Sequence, residues 1–220
     1  TAGFLWRTGS RAHELLIDRM RRSKDWTAFI LDLPVREQWY GRFPYNSAAS
    51  HLLSAIITRS TGKCAQEFAA EHLFGAIGID QAPGGVPHTY SQADVFANTQ
   101  QWPKDPQGNS IGGWGLALKP RDMARFGYLY LNAGKWDGEP VIPEKWIEDS
   151  IALHTIGYGY QWWLRNINGL FVFSADGRGG NHIYCVPEKE LVVVVASKPG
   201  DRWRNRLRLL EEFVTPAAAA

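Results

Sequence analysis

A tyrosine stands directly ahead of an expected helix in the stretch Phe43 to Ser54, FPYNSAASHLLS. Asn46 and Ser47 are polar groups able to cap the first turn, and Leu52 and Leu53 begin the apolar face expected of the helix. Unpaired N–H groups and aligned peptide dipoles make a helix mouth electropositive, so a phenol at its edge ionises more readily than one in water. Tyr45 is thereby placed to shuttle protons. An ordinary phenol pKa of about 10 lies about three units above neutrality, roughly 4 kcal/mol, which is more than the half charge of a helix end supplies. A cationic partner, normally lysine, is required.

Two serines offer themselves as the nucleophile such a base would serve. Gly108-Asn109-Ser110-Ile111-Gly112 satisfies a GxSxG elbow, but an elbow needs a strand before the serine and a helix after it. Here Trp102-Pro103-Lys104-Asp105-Pro106 precedes and Gly113-Trp114-Gly115 follows, so a glycine-rich turn is expected instead. Ser60-Thr61-Gly62-Lys63 fits Ser-x-x-Lys, in which lysine takes the serine proton from the next helical turn. Gly62, behind a complete apolar helix, marks a C-cap, so serine and lysine would not share one face. The third reading is that the nucleophile lies outside these 220 residues.

The elements that must position Tyr45 can be read from punctuation and periodicity. Helices are expected at about 11–22, 24–32, 47–60, 64–74, 120–132 and 143–152, with Gly62 and Gly134 as C-caps and Pro120 and Pro143 at first-turn positions. From Gly157 onward come short aromatic and β-branched runs, 158–164, 170–174, 182–186 and 191–197, separated by short polar turns that argue antiparallel pairing. A closing amphipathic helix, 202–213, would cross that sheet. Residues 75–118 are mostly loop, and loops this long inside a compact domain are usually functional.

Composition narrows the partners. The chain is 45% hydrophobic and 21% charged, which is ordinary for a globular domain, and its net charge of +2 arises from 24 basic and 22 acidic residues interspersed along the chain. There is no global field for nucleic acid. The run Arg19, Arg21, Arg22 and Lys24 is expected to be a solvated helix face. No apolar run reaches the roughly 18 residues that span a bilayer. Cys64 and Cys185 are far apart, and His13, His51, His72, His88, His154 and His182 show no ligand spacing, so no metal and no cofactor is expected. Ten tryptophans are unusual. Trp102, Trp114 and Trp162 fall in or beside loops where they either wall a cleft or pack a core.

Ordered landmarks run over nearly the whole chain: Phe43 and Tyr45, Leu52-Leu53, Thr61-Gly62, Leu73 to Ile79, Gly112 to Leu116, Pro120 to Gly127, Gly157 to Trp163 and Gly177 to Asn181. In this order they resemble the β-lactamase-related serine hydrolases, the group of class C β-lactamases, DD-peptidases, family VIII esterases and 6-aminohexanoate-dimer-hydrolase-like enzymes. The resemblance implies an α/β fold of the α+β type, an antiparallel sheet flanked by helices as in β-lactamases and transpeptidases. Residues 1–216 would be the C-terminal portion of one such domain, incomplete at its N-terminus, and 217–220 an alanine tail of the kind a tag leaves.

The same resemblance implies roles. Tyr45 matches the tyrosine of the family's Tyr-x-Asn motif, the general base that works with the lysine of Ser-x-x-Lys, and Ser47 takes the asparagine's place. Arg178-Gly179-Gly180 resembles the third motif, with Arg178 able to clamp a substrate carboxylate and the Asn181 backbone N–H able to serve as half of an oxyanion hole. Thr1-Ala2-Gly3 resembles the segment that follows the Ser-x-x-Lys helix, so the nucleophile and its lysine are expected upstream of this chain. The expected function is a serine hydrolase that cleaves ester or amide bonds through an acyl-enzyme, with a small ester, amide or β-lactam-like molecule as substrate; the resemblance favours a periplasmic or secreted location and leaves a cytoplasmic one open. This segment alone would then be inactive. The alternative is a penicillin-binding-like module that holds a ligand without turnover, or an inactive relic.

Overall fold

The computed structural model describes residues 4, 6, 11–35, 37, 43–80, 84–91, 94, 101–177, 179–197 and 206–218, the side chains of 11–14 excepted. The chain divides into two compact units, Thr1–Gly75 with Asp80–Leu118, and Ala76–Ile79 with Lys119–Ala220.

The first unit is built on α1 (Arg11–Arg22), α2 (Trp26–Leu31), α3 (Ser47–Thr61) and α4 (Ala65–Ala69), the last running on into a π turn, Ala70–Phe74. Asp25 ends the expectation that α2 begins at 24, because its carboxylate accepts the Ala28 N–H at 2.8 Å and makes it the N-cap. The core of this unit gathers Met20, Trp26, Ile30, Ala48, Tyr90 and Ile111. Trp26 is fully buried, with its ring 4.8 Å from Tyr90, 5.3 Å from His51 and 5.7 Å from Trp114. The aromatic centre thus binds the helices to the long loop.

The second unit carries α5 (Pro120–Leu131), a short hairpin of β1 (Lys135–Trp136) and β2 (Glu139–Pro140), α6 (Glu144–Ile151), and the sheet strands β3 (Trp163–Ile167), β4 (Leu170–Gly177), β5 (Asn181–Val186) and β6 (Leu191–Val195). The strands form an antiparallel meander in the order β3-β4-β5-β6, with Trp163 opposite Ser174 and Asp176 opposite His182. The alternation of side chains sends Leu164, Phe173, Ile183 and Cys185 to one face, against α5, and Val172, Tyr184 and Val186 to the other, against Leu210 of α7 (Leu207–Leu209, continued as Leu210–Val214 and Thr215–Ala217). Gly127 lets α5 lie on the sheet, since a Cβ there would come 2.7 Å from Val192 Cγ1 and 2.9 Å from Ile183 Cγ2.

One strand departs from expectation. The run 158–164 is not extended throughout, because Gly157 and Gln161 hold φ at 67° and 66° and fold the segment into turns before β3 starts at Trp163. The antiparallel sheet with flanking helices is the architecture expected of the sequence.

Candidate functional site

Tyr45 is half-buried and lies immediately before the N-cap of α3. Asn46 is that cap: its Oδ1 accepts the Ala49 N–H at 3.0 Å, and its carbonyl accepts the Ser50 N–H at 3.2 Å. Ser47 follows as the first helical residue and is 9% exposed. The mouth is therefore capped as the polar pair suggested, with Asn46 rather than Ser47 supplying the bond.

The buried face of α3 differs from the one expected. Leu52 is partly buried against the core of this unit as expected, but Leu53 is half exposed, and the fully buried residues are Ser47, Ala48, His51 and Ser54, spaced about one helical turn apart. The cause is a close backbone approach by the loop after Asn109. A Cβ on Gly112 would fall 2.4 Å from the Ser50 carbonyl oxygen, and one on Gly113 would fall 2.4 Å from that of Ser47. Only small side chains and a flat ring fit beneath such a contact, and Leu53 is left outside it.

Polar bonds secure the contact. Ser54 Oγ donates to the Ser110 carbonyl at 2.6 Å, and the Gly112 N–H donates to His51 Nδ1 at 3.2 Å. His51 Nε2 lies 3.0 Å from Asp105 Oδ2, and neither residue is exposed. Asp105 also accepts the N–H groups of Gln107 and Asn109 and the Asn109 amide at 2.8 to 2.9 Å. Gln107 in turn accepts the Trp26 N–H at 3.1 Å. Sequence reading missed this network, although a histidine with serines at −4 and +3 on a helix expected to be apolar is its trace.

Both serine motifs serve structure. Ser110 is fully buried, and its hydroxyl accepts the Gln66 N–H at 2.9 Å at the start of α4. Ser60 Oγ donates to the Ile57 carbonyl at 3.2 Å, Gly62 closes α3 in the left-handed region at φ 74°, and Lys63 pairs with Glu71. Two other tyrosines are held as phenols: burial and the charge of Asp105 raise Tyr90 well above its ordinary value, and burial with Asp176 pushes Tyr184 up to about 12.

In the second unit, Arg178 lies outside the described residues. Gly179 and Gly180 hold φ at 94° and 88°, a conformation that glycine adopts at no steric cost. The turn is tied down: Asn181 Oδ1 accepts the Ser197 N–H at 2.9 Å, and Ser197 Oγ donates to the Gly179 carbonyl. Beside it on the sheet, Asp176 accepts from Arg165 Nη2 at 2.5 Å and from Ser174 Oγ at 2.9 Å, with His182 Nδ1 at 3.1 Å. His182 is thus held by a carboxylate and stacks on Tyr184. Ser174, Asp176 and His182 are no hydrolytic triad, because the serine donates to the aspartate and is wholly buried.

Trp162 and Trp114 take part in core packing, and Trp102 is tied to its own loop. Trp162 is 3% exposed among Phe126, Tyr130 and Phe173. Trp114 packs against Trp26 with Arg21 over its ring, and Trp102 Nε1 donates to the Ile111 carbonyl at 2.8 Å. Among the described residues, no three His, Cys, Asp or Glu side chains gather as a metal site, and no helix is long and apolar enough to cross a membrane.

Burial opposes ionisation of Asp105 and Asp176. The bonds from His51 and Asn109 nonetheless hold Asp105 below its ordinary value, and His182, Arg165 and Ser174 do the same for Asp176. A carboxylate lowered on folding stabilises above its unfolded pKa of about 3.9 and loses that contribution as pH falls through the folded value. The urea midpoint is expected to decline as pH falls below about 4. A midpoint unchanged down to about pH 2 would contradict these two assignments.

Residues 1–210 match the family model described as beta-lactamase. No curated protein matches the chain. Among solved structures, the fold is similar to that of a Bacillus anthracis protein assigned as a 6-aminohexanoate-dimer hydrolase, with TM-score 0.71, 20% identity, and coverage of 99% of this chain and 57% of that one. A Bacteroides dorei protein assigned as a beta-lactamase gives TM-score 0.64 at 14% identity over 90% of this chain and 65% of that one. A penicillin-binding protein homolog from Caulobacter crescentus gives 0.54 at 17% identity over 81% and 59%. The chain spans 57 to 65% of the length of these three, and at such identities the likeness is one of fold.

Proposed function

Because the chain belongs to the beta-lactamase family, a family of serine hydrolases of the acyl-enzyme type, we propose that it contributes the general base and part of the oxyanion site to an ester- or amide-cleaving enzyme. The observation that carries this reading is Tyr45 at the Asn46-capped mouth of α3, in a stretch whose sequence resembles the family's Tyr-x-Asn motif. In the proposed reaction a serine hydroxyl attacks the substrate carbonyl and its proton passes to the phenolate of Tyr45, which a lysine ammonium keeps charged. The proton is then delivered to the leaving alcohol or amine as the acyl-enzyme forms. Water, deprotonated by the same phenolate, attacks the acyl carbon; the bond to the serine oxygen breaks, the tyrosine returns the proton to that oxygen, and the acid is released. The Asn181 N–H is assigned to the developing oxyanion and Arg178 to a substrate carboxylate.

Ser110 and Ser60 are both engaged in holding backbone, so the serine and lysine are assigned to sequence outside these 220 residues. A small ester or amide is favoured over a β-lactam because Ser47 stands where the β-lactamase pattern has asparagine, and a hydroxyl is a weaker fixture for lysine or substrate than an amide. A fluorophosphonate or labelled penicillin tests the proposal. The complete protein is expected to be covalently labelled on a serine, and labelling should be blocked by a competing ester. Failure of both probes to label a folded protein would point to a binding module without turnover.

A further inference from the structure

We propose that His51 and Asp105 form a positioning dyad that fixes the Gly112–Gly113 backbone against the mouth of α3, and so sets the place of Tyr45. The catalytic consequence rests on the function proposed above, while the positioning itself does not. A backbone N–H can only donate, so the bond from Gly112 puts the lone pair of His51 on Nδ1 and its proton on Nε2, which donates to Asp105. The tautomer is thus dictated from both sides of the ring.

Three features make this more than a satisfied core histidine. His51 lies one turn beyond Ser47 on the same buried face, and Tyr45 is two residues before Ser47. The loop that the ring holds is the one whose backbone presses on the Ser47 and Ser50 carbonyls. Asp105 is itself fixed by three further donors from Gln107 and Asn109, and Trp26 packs edge-on to the ring, so the imidazole has a rigid support on each side. Loss of the ring would free the loop to lift from the first turn of α3, and the geometry of a general base is sensitive to shifts of this order.

Two substitutions divide the ring's duties, since an asparagine amide overlays Nδ1 and a glutamine amide overlays Nε2. His51→Asn keeps an acceptor for Gly112, whereas His51→Gln keeps only the donor to Asp105. In the complete protein, amide exchange at Gly112 is expected to be slow in the wild type and in His51→Asn, and at least roughly tenfold faster in His51→Gln. The 15N shifts of His51 should report the Nε2-protonated form. If the hydrolase reading holds, kcat should fall roughly tenfold or more in His51→Gln, with KM little changed and partial recovery in His51→Asn. An Nδ1-protonated ring, equal Gly112 exchange in the two variants, or a kcat indifferent to fast exchange would overturn the proposal. Should the protein prove non-catalytic, the exchange rates and the tautomer still decide it, while the covalent probes separately decide the function.

Discussion

Tyr45→Phe is expected to lower turnover of the complete enzyme by roughly 10² or more, with KM little changed. The phenol oxygen is the only group removed, and the capping bond from the Ala49 N–H to Asn46 Oδ1 that shapes the helix mouth does not use it. The cap of α3 should therefore be kept, and under the proposed function the loss should lie in the proton-transfer steps that form and resolve the acyl-enzyme. Steady-state kinetics with an ester, combined with the rate of fluorophosphonate labelling, measures both. Full activity in the variant would remove Tyr45 from the role of base.

Trp162→Ala should act in the opposite way, costing about 3–5 kcal/mol of stability through the cavity it leaves. That is a large share of the about 5–15 kcal/mol that holds a typical domain. The indole is stacked on Phe126, lies 4.6 Å from Tyr130 and meets Phe173 edge-on at 5.1 Å, so no neighbour can close the gap without leaving its own contacts. Urea unfolding at neutral pH is the measurement. A variant of undiminished stability with a raised KM would instead make Trp162 a cleft wall, the alternative that its place beside a loop had left open.

These two residues show how far the sequence could be read. Tyr45 was legible because its surroundings are local: a polar pair, a helix start and the residues that follow lie within a dozen positions. Gly62 as a C-cap and Pro120 at a helix start were legible for the same reason. Trp162 was ambiguous because an indole suits a core and a binding wall equally, and only its neighbours from α5 and β4 decide. The strand expected from 158 failed because Gly157 and Gln161, the latter a residue with no turn signature, hold left-handed conformations.

The sequence by itself determined the family and the antiparallel sheet, along with the place of Tyr45 ahead of a capped helix and the turn and helix-end settings of Ser110 and Ser60, because each depends on local spacing and on the order of landmarks. Tertiary structure alone decided which face of α3 is buried and what holds it. His51 meets Asp105 across 54 residues and Gly112 across 61, and Asp176 meets Arg165 across a strand pair. Such bonds have no sequence period. They exist because a glycine backbone can approach a helix more closely than any side chain allows, and a buried carboxylate must then find donors wherever the fold brings them.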